Sequence, residues 1–140
     1  MISEREEKWE PVEGIVTPAA RAVIDESHRG LVVTMVFSEI VDGLKLDLRI
    51  NFGRIRAYSV YEEFIHPWSQ SREEFPRLTG EWERYTFPLV LVQNSEWVSW
   101  LSDLIIPPTP IHYRFVTLDQ IVDVLCNKAP AVTWVEGLQS

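Results

Sequence analysis

The chain has 140 residues, a formal net charge of −8 and a single cysteine. Its length fits one domain, and 46% apolar with 24% charged residues is a globular composition, not a disordered one. One cysteine excludes an internal disulfide and a multi-cysteine zinc site, and the acidic balance argues against non-specific nucleic-acid binding and against an anionic membrane surface.

Residues 1–13 read as a flexible or extended lead-in, followed by the breakers Gly14 and Pro18. The opening Met1-Ile2-Ser3-Glu4-Arg5 lacks the basic start and apolar core of a secretory signal. No apolar stretch approaches the ~18–20 residues of a membrane-spanning helix, so a cytoplasmic location is expected. Thr17-Pro18 can open a short helix, and Asp25–Gly30 reads as a turn.

Leu31–Val41 is rich in β-branched residues and reads as a strand, and Asp42-Gly43 is a two-residue hairpin signal. Leu44, Leu46, Leu48, Ile50 and Phe52 then alternate with polar residues, the pattern of a half-buried antiparallel strand. At Gly53 the alternation slips by one. Either a tight turn opens a third strand there, or a bulge bends one long strand. Residues 66–84 form a long irregular loop, and Tyr85–Val92 reads as a strand that Pro88 pushes toward an edge.

Two helices are expected next. Asn94 or Ser95 can cap the first, whose Trp97, Trp100, Leu101 and Leu104 fall on one helical face before Pro107-Pro108 ends it. Ile111–Val116 is a short strand. Thr117-Leu118-Asp119-Gln120 matches a capping box, and Leu118, Ile121, Val122 and Leu125 then make a helical stripe. Ala131–Val135 is a last strand. The expected fold is a single α+β domain over residues 1–140: a mainly antiparallel sheet with two helices from the C-terminal half packed on it.

Catalytic motifs are sparse. Cys126 lies beside the apolar stripe and reads as a small buried hydrophobe. No Gly-x-Ser-x-Gly elbow occurs, His28, His66 and His112 lack metal-ligand spacing, and the six glycines are unclustered, so no metal or cofactor is expected. Glu62 sits where a strand enters the long loop, near His66 and Trp68, and with His112 these residues can line a pocket. Asp119 and Asp123, one helical turn apart, read as a wet acidic face. Of the six tryptophans, Trp97, Trp100 and Trp134 fit core positions, whereas Trp9, Trp68 and Trp82 fall in irregular segments. Aromatic rings on loops suit either a lid over the core or a contact surface.

The segments Leu46–Tyr58, Asn94-Ser95-Glu96-Trp97, His112-Tyr113-Arg114-Phe115 and Val122-Asp123-Val124-Leu125 resemble small uncharacterised bacterial proteins, some similar to toxin-neutralising immunity proteins. The resemblance implies a compact cytoplasmic protein that works by binding. The leading expectation is a non-catalytic protein-binding module that grips a basic partner, such as a toxin, through Trp68, Glu73, Glu74, Trp82, Asp119 and Asp123. A small-ligand protein or small enzyme with a pocket at Glu62, His66 and His112 is the alternative, and a structural homodimer is a third.

Overall fold

The fold follows from where β-branched and alternating residues place extended backbone. In the computed structural model residues 3–37, 45–62 and 75–137 are described. Val32, Val33, Thr34 and Val36 hold Gly30–Phe37 (β3) extended, and β3 pairs on one side with Ala19–Ser27 (β2). Its other side pairs with Leu46–Gly53 (β4), which in turn pairs with Ala131–Glu136 (β9). A second sheet joins Arg5–Lys8 (β1), Leu89–Gln93 (β6), Ile111–Val116 (β7), Gln120–Cys126 (β8) and Ala57–Glu62 (β5). The orders are β2-β3-β4-β9 and β1-β6-β7-β8-β5, with every strand pairing antiparallel.

The two sheets share one core. Leu31, Val33, Met35 and Phe37 of β3 and Leu48, Ile50 and Phe52 of β4 belong to the same buried cluster as Leu89, Tyr113, Phe115, Val122, Val124 and Cys126 of the second sheet. Residues two apart on each strand supply it, as a pleat requires. Phe52 bridges the sheets, with its ring centroid 5.9 Å from Tyr113 and 5.8 Å from Phe115. The Trp9 ring centroid lies 4.5 Å from that of Tyr113, so the segment expected to be a flexible or extended lead-in contributes an extended strand and a core ring.

The α+β expectation is therefore wrong: the described residues form an all-β sandwich. Residues 120–126, read as a helix, are β8. Ile121, Val122, Asp123, Val124, Leu125 and Cys126 are all buried, so this strand is covered on both faces. A continuous apolar run satisfies helical and strand spacing alike. The first expected helix shrinks to Glu96–Trp100 (α1), five residues with none buried. Turns follow it, which leaves Trp100 and Leu104 exposed instead of facing a core. Likewise Thr17-Pro18 leads into β2 and opens no helix.

Both sequence readings of Gly53 hold in part: the β3–β4 register slips there and a further strand, β5, opens beyond it, but that strand belongs to the other sheet. The Gly53 φ of +65° turns the chain out of the first sheet, and β5 then pairs with β8 in the second. Gly53 is the corner between sheets. The corner is tight: a Cβ built on Gly30 falls 1.9 Å from the Gly53 carbonyl oxygen. In the described stretch 75–87, Leu78 N–H donates to Tyr85 O and Phe87 N–H to Pro76 O. Asp42-Gly43 lies outside the described residues, although the β3–β4 pairing it was expected to join is present.

Candidate functional site

On β7, Tyr113 and Phe115 enter the core, so His112 and Arg114 project from the opposite face of the sheet. Asp123 is the direct antiparallel partner of Arg114 and shares that face. His112, Arg114 and Asp123 are each at most 2% exposed. Charges at such depth persist only when paired, and these are.

Asp123 Oδ1 accepts from Arg114 Nε at 2.7 Å and lies 2.6 Å from His112 Nε2. Arg114 Nη1 donates to Glu6 Oε1 of β1 at 2.6 Å, and Glu4 Oε2 lies 3.6 Å from the same nitrogen. Burial works against the guanidinium charge, but the carboxylates of Asp123, Glu6 and Glu4 outweigh it and hold its pKa above the ordinary value. The N-terminal strand is thereby bound to the sheet by side chains as well as by its backbone ladder.

The other ring nitrogen of His112 faces Ser95. Ser95 Oγ lies 2.6 Å from His112 Nδ1 and accepts from Val98 N–H at 3.1 Å, which caps α1. In the tautomer that gives Nε2–H to the Asp123 carboxylate, Nδ1 is the acceptor for the Ser95 hydroxyl. Ser95, His112 and Asp123 thus form one hydrogen-bonded line. Its serine end borders an open cleft of about 600 Å3, whose polar wall includes Gln93, Asn94, Ser99 and Thr109. Asn94, the junction of β6 and α1, has a φ of +54°, the one left-handed non-glycine residue among those described. Trp97 closes over the imidazole edge-on at 5.7 Å.

A second feature stands on the same segment. Trp100, Leu104 and Ile106 are 81%, 78% and 76% exposed. Residues 94–110 contain Glu96 and Asp103 and no Lys or Arg. Arg56 anchors this tip from β4–β5, donating to the carbonyls of Ile106 at 2.9 Å and Pro108 at 3.4 Å and to Asn127 Oδ1 at 3.0 Å.

The expected site residues fare unevenly. Trp68, Glu73, Glu74 and His66 lie outside the described residues. Trp82 is half-buried, packed on the core and tilted against Tyr85 at 5.6 Å. Asp119 is exposed in the β7–β8 turn, while Asp123 is fully buried and presents nothing to a partner. Glu62 pairs with Gln120 at one end of β8, and His112 pairs with Leu125 near the other end, so the structure does not bring Glu62 and His112 together. Ser95, Arg114 and Glu6 were missed as a cluster. One signal was available: a lone Asp inside the apolar run Ile121–Cys126 needs a buried partner.

Among the described residues no group of three His, Cys, Asp or Glu side chains is placed to hold a metal ion, and no helix is long and apolar enough to cross a membrane. Compared with known proteins, the chain matches no family model, no curated protein and no solved structure.

Proposed function

We propose that the chain is a protein-binding module of the immunity-protein type, which engages a basic partner through the tip at residues 94–110. The observation that carries this is the exposure of Trp100, Leu104 and Ile106, three large apolar side chains within seven residues. Scattered exposed apolar residues are ordinary, but three so close in sequence on a supported segment suit a contact surface. Glu96 and Asp103 are the charged residues of the segment itself, the guanidinium lying against it, that of Arg56, is taken up by its backbone carbonyls, and the chain as a whole carries −8. A cationic partner with apolar side chains at its centre matches that chemistry. The Arg56 hydrogen bonds hold the tip before any partner arrives, which lowers the ordering cost of binding.

The test is capture of partners from the producing cell, followed by binding of the purified, identified partner to wild type and to a Trp100→Ser/Leu104→Ser/Ile106→Ser variant. A basic partner should be held by wild type, more weakly as salt rises. The variant should bind it at least ~30-fold more weakly, since one lost hot spot costs about 2 kcal/mol or more. Equal binding by both proteins, or an acidic partner, sinks the proposal.

A further inference from the structure

The line of hydrogen bonds beneath the tip has a chemistry that binding does not use. We infer that Ser95 is an acyl-accepting nucleophile, with His112 as its base and Asp123 as the group that orients His112, acting on small uncharged carboxylic esters. Four observations converge on it. The two oxygen–nitrogen distances are both 2.6 Å, so a proton can pass from Ser95 Oγ to His112 Nδ1 while Nε2–H stays on Asp123 Oδ1. The Asp123 carboxylate, 2.6 Å from Nε2, directly faces the ring that gains positive charge in that transfer. Ser95 opens onto a cleft of about 600 Å3, a size that holds a small molecule. Asn94 places Ser95 at a strand-to-helix junction through left-handed backbone and lines the same cleft.

The step balances within the site. Ser95 Oγ bonds to the ester carbonyl carbon as its proton moves to His112 Nδ1. The tetrahedral adduct collapses, the carbon–oxygen bond to the alcohol breaks, and the departing oxygen takes the proton back from Nδ1. Water then repeats the sequence, releasing the acid and restoring Ser95. Glu96 N–H is engaged by Glu4 Oε1 at 2.9 Å; of the polar side chains on this wall, that of Asn94 adjoins Ser95 in the chain and is assigned to stabilise the oxyanion. The same carboxylates repel anionic substrates, hence the preference for uncharged esters.

A fluorophosphonate tests this directly, because it reacts far faster with an activated serine than with an ordinary hydroxyl: the oxygen–phosphorus bond forms, fluoride leaves and the proton goes to His112. The full chain is treated at pH 8, then read by intact mass and peptide mapping, with p-nitrophenyl acetate hydrolysis measured in parallel. One adduct on Ser95 is expected, lost in Ser95→Ala. That variant also removes the α1 cap, so Asn94→Gly, which keeps the cap and suits the positive φ, serves as the second. It should hydrolyse the ester about 100-fold more slowly. An unlabelled wild type, an adduct elsewhere, or equal rates in Asn94→Gly and wild type would overturn the inference. Partner capture by the tip is measured separately and stands or falls alone.

Discussion

Arg114 and Asp123 stand directly opposite each other on β7 and β8, and Nε of the first donates to Oδ1 of the second at 2.7 Å with neither side chain exposed. An isolated buried pair of this kind is replaceable by apolar residues at little cost. This pair is not isolated. Asp123 also holds His112, and Arg114 also holds Glu6.

Asp123→Asn should therefore cost about 3–5 kcal/mol, the range for breaking one side of a buried pair. Arg114→Met combined with Asp123→Asn should recover none of it, because loss of the guanidinium also removes the charge-assisted hydrogen bond to Glu6. Denaturant unfolding followed by tryptophan fluorescence reads both. Recovery in the double variant would show that the pair acts alone.

Neighbouring glutamates on β1 should behave oppositely. Glu6 is buried against Arg114 Nη1 at 2.6 Å, whereas Glu7 bonds Arg5 at an exposed site and sits below the ordinary carboxylate pKa chiefly through that hydrogen bond. Glu6→Gln should lower stability by about 1.5–3 kcal/mol, as for other charge-assisted hydrogen bonds. Glu7→Gln should leave the unfolding midpoint unchanged within error. Equal effects would mean that β1 is held by its backbone alone.

These contrasts also mark how far the sequence was readable. Alternation located β4 and the short strand Ile111–Val116, because each has a residue pattern that only an extended chain satisfies. Residues 120–126 failed for a local reason. Thr117 Oγ1 does accept from Gln120 N–H at 2.9 Å, the bond a capping box predicts, but it also donates to Gln120 O and shapes the turn into β8. The Gln120 side chain reaches Ala22 N–H of β2 instead of returning to Thr117. The local bond was legible and its use was not, since the deciding contacts come from strands remote in sequence. The candidate site was hidden for the same reason: Ser95, His112, Asp123 and Glu6 meet only once β6, β7, β8 and β1 are ordered side by side. Trp100 was misassigned to the core because the helix stops after five residues.

The Gly30–Gly53 contact separates two kinds of glycine. Gly30→Ala meets the Gly53 carbonyl carbon at 2.1 Å as well as its oxygen, and φ is +125°. The β2–β3 turn and the sheet corner would both have to shift, so this variant should fail to fold or lose its sharp thermal transition. Gly53→Ala meets nothing within 4 Å and carries only the strain of φ +65°. About 1–2 kcal/mol is expected for it. Thermal unfolding of the two proteins distinguishes steric overlap from backbone strain.

High pH should weaken the fold through two groups in the core. Burial pushes the Cys126 thiol from 9.0 up to about 11, against a smaller lowering by the Lys128 backbone. Burial, helped by the neighbouring Cys126, pushes the Tyr113 hydroxyl from 10.0 up to about 12. In each case the folded state keeps its proton over a range where the unfolded chain has lost it. The unfolded chain then binds fewer protons, so the stability slope with pH is negative. The contribution is complete below about pH 9 and lost as pH climbs through 11 to 12. Denaturation midpoints should be flat from pH 7 to 8.5 and fall steadily above 9. Cys126→Ala should delay the fall, leaving the Tyr113 part from about pH 10 to 12, and Tyr113→Phe should make the fall shallower above pH 10 and end it near pH 11. The thiol of the native protein should also stay silent toward a disulfide reagent at pH 8 and react at once in denaturant. A midpoint that holds constant to pH 11, or a thiol that reacts at pH 8 without unfolding, would place Cys126 outside the core.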